Sequence, residues 1–257
     1  MPTALITGPT SGLGHAFARA LAARRHDLVL VSRDRERLEA VASGLAREFG
    51  IATTVLAADL GDREQLAAVE ARLSDPVRPV DVLVNNAGFG IREQFADSDV
   101  ADEQRMLDVM VTAVMRLTHA AVPGMVARGH GVVLNVSSVA SWIAGGTYSA
   151  AKAWVTVFSE GLNGELRGSG VKVTGVCPGF VHTEFHERAH MDVSSVPEWL
   201  WLDADDVVAQ ALRDVAVNRP VSVSGLQYRA ASTVLQHGPR TLVRAIGRQR
   251  STDRARQ

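Results

Sequence analysis

An α/β fold, with a doubly wound parallel sheet of about seven strands and helices on both faces, is what this sequence of 257 residues predicts. Three observations lead there. Short apolar runs rich in Val and Ile recur without polar alternation, as strands covered on both faces do. Segments with apolar residues at helical spacing separate these runs, and a glycine-rich turn joins the first run to the first helical segment.

In chain order, ALIT (4 to 7) reads as the first strand and SGLGHAFARALAARR as the helix after it. LVLV (28 to 31) is the second strand, and Asp34 is placed to cap the helix that begins RERLEAVA. IATTVLAA (51 to 58), DVLV (81 to 84), GVVLNV (131 to 136) and VKVTGV (171 to 176) continue the strand series. REQLAAVEARL and two long segments at about 99 to 128 and 147 to 167 supply helices between them. Residues 182 to 202 lack clear periodicity and read as a lid. Residues 1 to 238 are expected to form one domain, with a basic helix and tail at 239 to 257.

Hydrophobic residues make up 46% of the chain, charged residues 21%, and the formal net charge is -1. That balance is ordinary for a globular protein and carries no basic footprint for nucleic acid. Cys177 is the lone cysteine, so no internal disulfide is expected. The opening MPTALITG lacks the regions of a signal peptide, and no uninterrupted apolar run has the length of a membrane span. A cytoplasmic location is the resulting expectation.

Two local patterns carry chemistry. Gly8, Gly12 and Gly14 lie where the first strand meets a helix, where a tight turn and free N–H groups suit a pyrophosphate. In TYSAAKA, Tyr148 and Lys152 lie four residues apart and share a helix face. The chain has only two tyrosines and two lysines, so the pairing stands out. A cation about 5 Å from a phenol would lower its pKa by roughly two units, toward the neutral range.

The spacing Thr-Gly-x-x-x-Gly-x-Gly resembles the short-chain dehydrogenase/reductase family. Asp59 after the third strand, NNAG (85 to 88), NVSS, YSAAK (148 to 152) and the Pro178-Gly179 pair follow in the family's order. The resemblance implies a Rossmann-type sheet and a nicotinamide-dependent oxidoreductase. It assigns Thr7, Gly8, Thr10, Ser11, Gly12, Leu13 and Gly14 to the phosphate turn, and Asp59 and Leu60 to the adenine. Asn86, Ala87 and Gly88 border the adenosine ribose by the same resemblance, while Pro178, Gly179, Val181 and Thr183 frame the nicotinamide.

Tyr148 is then the general acid/base, Ser138 holds the reacting oxygen and Lys152 also binds the nicotinamide ribose. Ser137 stays open as an alternative to Ser138, because the stretch before Tyr148 is shorter than in many relatives. No metal is expected. The long helices assemble dimers or tetramers in the family, so a homo-oligomer acting on a small carbonyl or alcohol is implied.

At the end of the second strand, where an NAD-binding relative usually has an acid, Ser32 is followed by Arg33. A guanidinium suits a 2′-phosphate, so NADP (NADPH) is favoured over NAD once Asp34 is read as a helix cap.

One departure matters. Where the family commonly places a water-holding asparagine, MLDVMVTAVMRLTHA has Met110, whose thioether is a weak acceptor. An enzyme slowed by that change is expected. The alternative is a catalytically weakened NADP(H)-binding regulatory or scaffold protein.

Other groups read more plainly. His182, His186 and His190 are spaced like ligands but fall in the lid, where Glu184, Phe185, Trp199, Trp201 and Leu202 suggest a partly apolar wall. Cys177 reads as a small buried residue, and His15 as a first-turn histidine near the phosphate turn. Leu242, Val243 and Ile246 beside Arg240, Arg244 and Arg248 could touch an anionic membrane, though a solvated tail is commoner at such termini.

Overall fold

The computed structural model describes residues 1–91, 93–184 and 196–237. Phe185, His186, His190 and the basic residues from Arg240 onward lie outside them.

Seven parallel strands form the sheet: β1 (Thr3–Thr7), β2 (Asp27–Ser32), β3 (Thr53–Ala57), β4 (Val82–Asn85), β5 (Gly131–Val136), β6 (Val171–Cys177) and β9 (Val221–Val223). Their order is β3-β2-β1-β4-β5-β6-β9, so the chain winds outward in opposite directions from the β1/β4 pair. β7 (Phe180–Val181) and β8 (Trp201–Leu202) make a separate two-stranded pair at the edge of the lid segment.

The two faces of the sheet are covered by different helices. On one, Ala4, Ile6, Leu28 and Leu30 pack against α1 (Gly12–Ala23), α2 (Arg35–Phe49) and α7 (Ala204–Ala216) through Phe17, Leu38 and Val207. On the other, Leu5, Val29, Val31 and Leu83 meet α3 (Arg63–Leu73) and α5 (Ala113–Arg128) through Val69, Leu117 and Met125. Successive strand residues point to opposite faces, so with both faces buried no polar alternation can appear in the sequence.

α4 (Val100–Leu107) runs through one π turn, Asp108–Thr112, into α5. The whole span Val100–Arg128 has the length and apolar character of a membrane helix. Of its buried residues, Ala113, Leu117, Ala121 and Met125 pack on the sheet, while Met106, Val109 and Met110 cluster with Ala151. α6 (Gly146–Glu165) lies on the same side, and α8 (Leu226–His237) follows β9.

Buried polar groups tie these helices to the strands. Asn85 Nδ2 donates to Thr118 Oγ1 at 3.0 Å and Asn135 Oδ1 at 2.9 Å, and Asn135 Nδ2 donates to Ser159 Oγ at 3.0 Å. The chain of bonds fixes α5 and α6 against β4 and β5.

Candidate active site

The groove lies at the carboxyl ends of the strands, beside the β1/β4 switch point, where open α/β sheets bind ligands. Its first wall is the turn between β1 and α1. Gly8 (φ +66°) and Gly12 (φ +54°) are left-handed, a region that L side chains rarely adopt. A β-carbon on Gly14 would lie 2.1 Å from the Gly8 carbonyl oxygen, so the turn and the helix touch backbone to backbone.

Ser11 is the N-cap of α1 but its side chain makes no capping bond, whereas Asp34, Asp62, Asp99 and Asp203 cap α2, α3, α4 and α7. The Ser11 side chain therefore leaves the first donors of α1, beside Thr10 and Leu13, uncapped at the positive end of the helix dipole. A diphosphate fits such a cradle. Gly14→Ala is expected to destabilise the fold by about 1–3 kcal/mol through overpacking and to weaken coenzyme binding at least about tenfold. Thermal unfolding with fluorescence titration measures both, and wild-type values would mean that the turn relaxes freely.

Thr7 is buried below this turn, accepting from the Asn86 and Ala87 amides at 2.9 and 3.0 Å. Asn86 Nδ2 donates back to the Thr7 and Gly8 carbonyls. These residues brace the cradle, and their side chains are spent on one another. Thr183 closes over it from the far side, with its Cβ and Cγ2 3.1 Å from where a Gly12 β-carbon would sit. Glu184 pairs with Arg37 on α2 at 3.7 Å.

At the carboxyl end of β2, Ser32 closes the strand and Arg33 is exposed beyond it. Asp34 Oδ1 accepts from the Arg37 amide at 3.0 Å, which confirms the cap. Asp59 accepts from Gly61 N at 2.9 Å and from Arg105 of α4 at 2.5 Å. Burial pushes the Asp59 carboxyl up, but these hydrogen bonds and the charges of Arg105 and Arg33 carry it below its ordinary value. Leu60 is buried next to it. Arg105 gave no signal in the sequence, because its partner lies 46 positions away.

Ser138, Tyr148 and Lys152 come together where β5 and α6 meet. Ser138 and Tyr148 are partly buried and hydrogen-bonded to each other, and Ser138 Oγ also accepts from the Ala140 amide at 3.1 Å. The two serines differ in burial and partners. Ser137 bonds the Lys152 carbonyl and Thr156 Oγ1, both at 2.7 Å, inside the protein. Lys152 is 5% exposed, donates to the Val136 carbonyl at 2.8 Å, and holds its cation 5.8 Å from the centre of the Tyr148 ring.

The expected lowering of the phenol is reversed by burial. Burial pushes Tyr148 up to about 12, against the opposing hydrogen bond from Ser138, and pushes Lys152 down to about 8. Removing water from each group is the dominant cause of its shift. Cys177 is fully buried nearby, and burial raises its thiol to about 11.

Met110 sits in the π turn, where the Ala113 amide bonds the Asp108 carbonyl five residues back. It is 1% exposed, and its Cγ and Sδ lie 3.5 and 3.6 Å from a β-carbon built on Gly88, with Lys152 Nζ at 3.8 Å from the same point. A thioether and an ammonium thus share one wall. Phe89 and Ile91 pack with Met106, Val109 and Tyr148 into an apolar margin beside the phenol.

Pro178, Gly179 and buried Val181 follow β6 and lead into Thr183. His182 contacts Glu198 at 3.2 Å and stacks on Trp201 at 4.7 Å, and no group of metal-binding residues occurs among the described residues. Trp199 is exposed, while Trp201 and Leu202 are partly buried. His15 is in the first turn of α1, partly buried.

The family model for short chain dehydrogenases matches residues 2–193. The chain belongs to the short-chain dehydrogenase family. It is therefore an oxidoreductase acting on CH–OH or C=O groups, and its family binds nicotinamide dinucleotides.

Among similar short-chain dehydrogenases, sulfoacetaldehyde reductase 2 of Chromohalobacter salexigens is 40% identical over 186 residues, covering 70% of this chain and 73% of that protein. The very-long-chain 3-oxoacyl-CoA reductase of Anas platyrhynchos is 36% identical over 189 residues. That match covers 70% of this chain but 60% of the relative's length. A solved short-chain dehydrogenase from Sphingobium yanoikuyae in complex with NADPH superposes with a TM-score of 0.85 at 37% identity, covering 94% of this chain and 95% of that one.

Proposed function

We propose that this short-chain dehydrogenase uses NADP(H) to transfer hydride between the nicotinamide and the carbonyl or secondary alcohol of an apolar or amphipathic small molecule. The observation that carries the reading is the convergence of Ser138, Tyr148 and Lys152 beside the glycine cradle, under the apolar margin of Phe89 and Ile91. When bound, the coenzyme supplies or accepts the hydride.

Everything else in the reaction falls to the chain. In reduction, Ser138 holds the carbonyl oxygen by its hydroxyl, and Tyr148 delivers its proton to that oxygen as the carbon is reduced. A phenol held near 12 is fully protonated at neutral pH, so the acid is loaded. Lys152, charged below about pH 8, faces the phenolate that forms and lowers its energy. Burial against Val136, Met110 and Gly88 keeps water from screening that pair.

The preference for NADP rests on Arg33. It is exposed at the end of β2, while Asp34, the acid that could have served a ribose, is engaged in capping α2. The NADPH bound in the Sphingobium yanoikuyae structure supports the same choice. Arg33→Asp is expected to lower the NADPH-over-NADH preference about ten- to a hundredfold, the worth of one or two charge-assisted bonds. Consumption of each reduced coenzyme against aldehydes, ketones and quinones reads the ratio, and an unchanged ratio would remove Arg33 from the site.

A further inference from the structure

The chain's second tyrosine, Tyr228 of α8, takes no part in this chemistry, yet it is 7% exposed and bonded to two distant segments. Its hydroxyl accepts from the Phe180 amide at 3.0 Å and donates to the Leu200 carbonyl at 2.6 Å. Next to it, Gln227 Nε2 donates to the Trp199 carbonyl at 3.2 Å. α8 also packs against the turn Val139–Trp142 that follows Ser138.

The ring explains a glycine. Gly179 is not among the residues of positive φ, so its backbone conformation does not demand glycine. A β-carbon there would fall 2.0, 2.1 and 2.3 Å from three carbons of the Tyr228 ring. What excludes a side chain is the tyrosine, drawn tightly onto the turn by its hydroxyl.

We infer that Tyr228 is a positioning residue for the nicotinamide end of the groove: it clamps the turn Pro178–Phe180, and through Leu200 the edge of the lid, in the place that aligns Val181 and Thr183 with the coenzyme. The inference rests on the coenzyme reading above. Phe180 and Val181 pair with Trp201 and Leu202, so the clamp holds both strands of the small β7/β8 pair from one side chain. Thr183 touches Gly12 two residues further on, which carries the position of the turn across the groove to the phosphate cradle. A tyrosine with merely structural weight would have no reason to affect one end of the coenzyme more than the other.

Tyr228→Phe keeps the ring and removes both hydrogen bonds, so folding is preserved. Binding is titrated with NADPH and with 2′,5′-ADP, which has the adenosine half but no nicotinamide. NADPH affinity is expected to fall about five- to tenfold, the worth of one to two hydrogen bonds, with 2′,5′-ADP within about twofold of wild type. Amide hydrogen exchange of the ligand-free protein should accelerate at Phe180 and around Leu200 while β1 and β2 stay protected. Equal losses for both ligands, no loss for either, or exchange rising across the sheet would overturn the clamp. If wild type binds NADH and ADP instead, the same comparison is made with that pair. If wild type binds no coenzyme, the coenzyme reading fails by itself, and unchanged exchange at Phe180 would separately refute the clamp.

Discussion

Tyr148→Phe is expected to reduce turnover by about 10²- to 10⁴-fold, the usual worth of general acid catalysis, while coenzyme affinity stays within about threefold. The substitution removes one oxygen from a side chain whose ring packs with Met106, Val109 and Phe89, so the apolar margin survives. What is lost is the proton. Ser138 remains, but its hydroxyl is held by the Ala140 amide and is no substitute acid at neutral pH. Steady-state consumption of NADPH over the carbonyl panel, with fluorescence titration of the coenzyme, measures both quantities. A mutant that turns over like wild type would place the acid elsewhere. Wild type that binds NADPH tightly and consumes none across the panel would favour the scaffold alternative, for which the thioether of Met110 beside Lys152 is the supporting feature.

Lys152→Met should separate catalysis from stability in opposite directions. Turnover is expected to fall by at least about 10²-fold, because the phenolate loses its facing cation. Stability near pH 7 is expected to rise by about 1–2 kcal/mol. The lysine is buried and its ammonium is held from its ordinary 10.5 down to about 8, a cost to the fold of up to about 3 kcal/mol. Losing the bond to the Val136 carbonyl returns about 1 kcal/mol of that gain.

The pH dependence gives the sign. Below about pH 8 the lysine is charged in both the folded and unfolded chains, and the full cost is present. Between about 8 and 10.5 the unfolded chain binds more protons at this position, so wild-type stability rises with pH and the cost disappears. The mutant lacks this titration. Its advantage in urea unfolding should be largest near pH 7 and should shrink toward pH 10, and a constant gap would show that burial of the charge is not what the substitution relieves.

Features made by neighbours in sequence were legible in it. The glycine cradle, the Asp34 cap and the shared face of Tyr148 and Lys152 all depend on residues within a few positions of one another, and each is found where local geometry puts it. The strand runs were legible for a related reason, since two covered faces force unbroken apolar residues. β9 was not, because Val221–Val223 is three residues long and is a strand only by pairing with β6. The π turn at Asp108–Thr112 likewise leaves no mark in composition.

By itself, then, the sequence determined the winding of the sheet, the family, and the pairing of Tyr148 with Lys152 on one helix face, because these are written in local spacing and in scarce residue types. Tertiary structure alone decided that Ser138 rather than Ser137 meets the phenol, that Asp59 is tied to Arg105, and that Gly179 answers to Tyr228. It also reversed the expected direction of the phenol's shift. The pull of a cation four residues away can be counted from a sequence, but the water removed from both groups depends on everything packed around them, and here that larger effect raises Tyr148 and lowers Lys152.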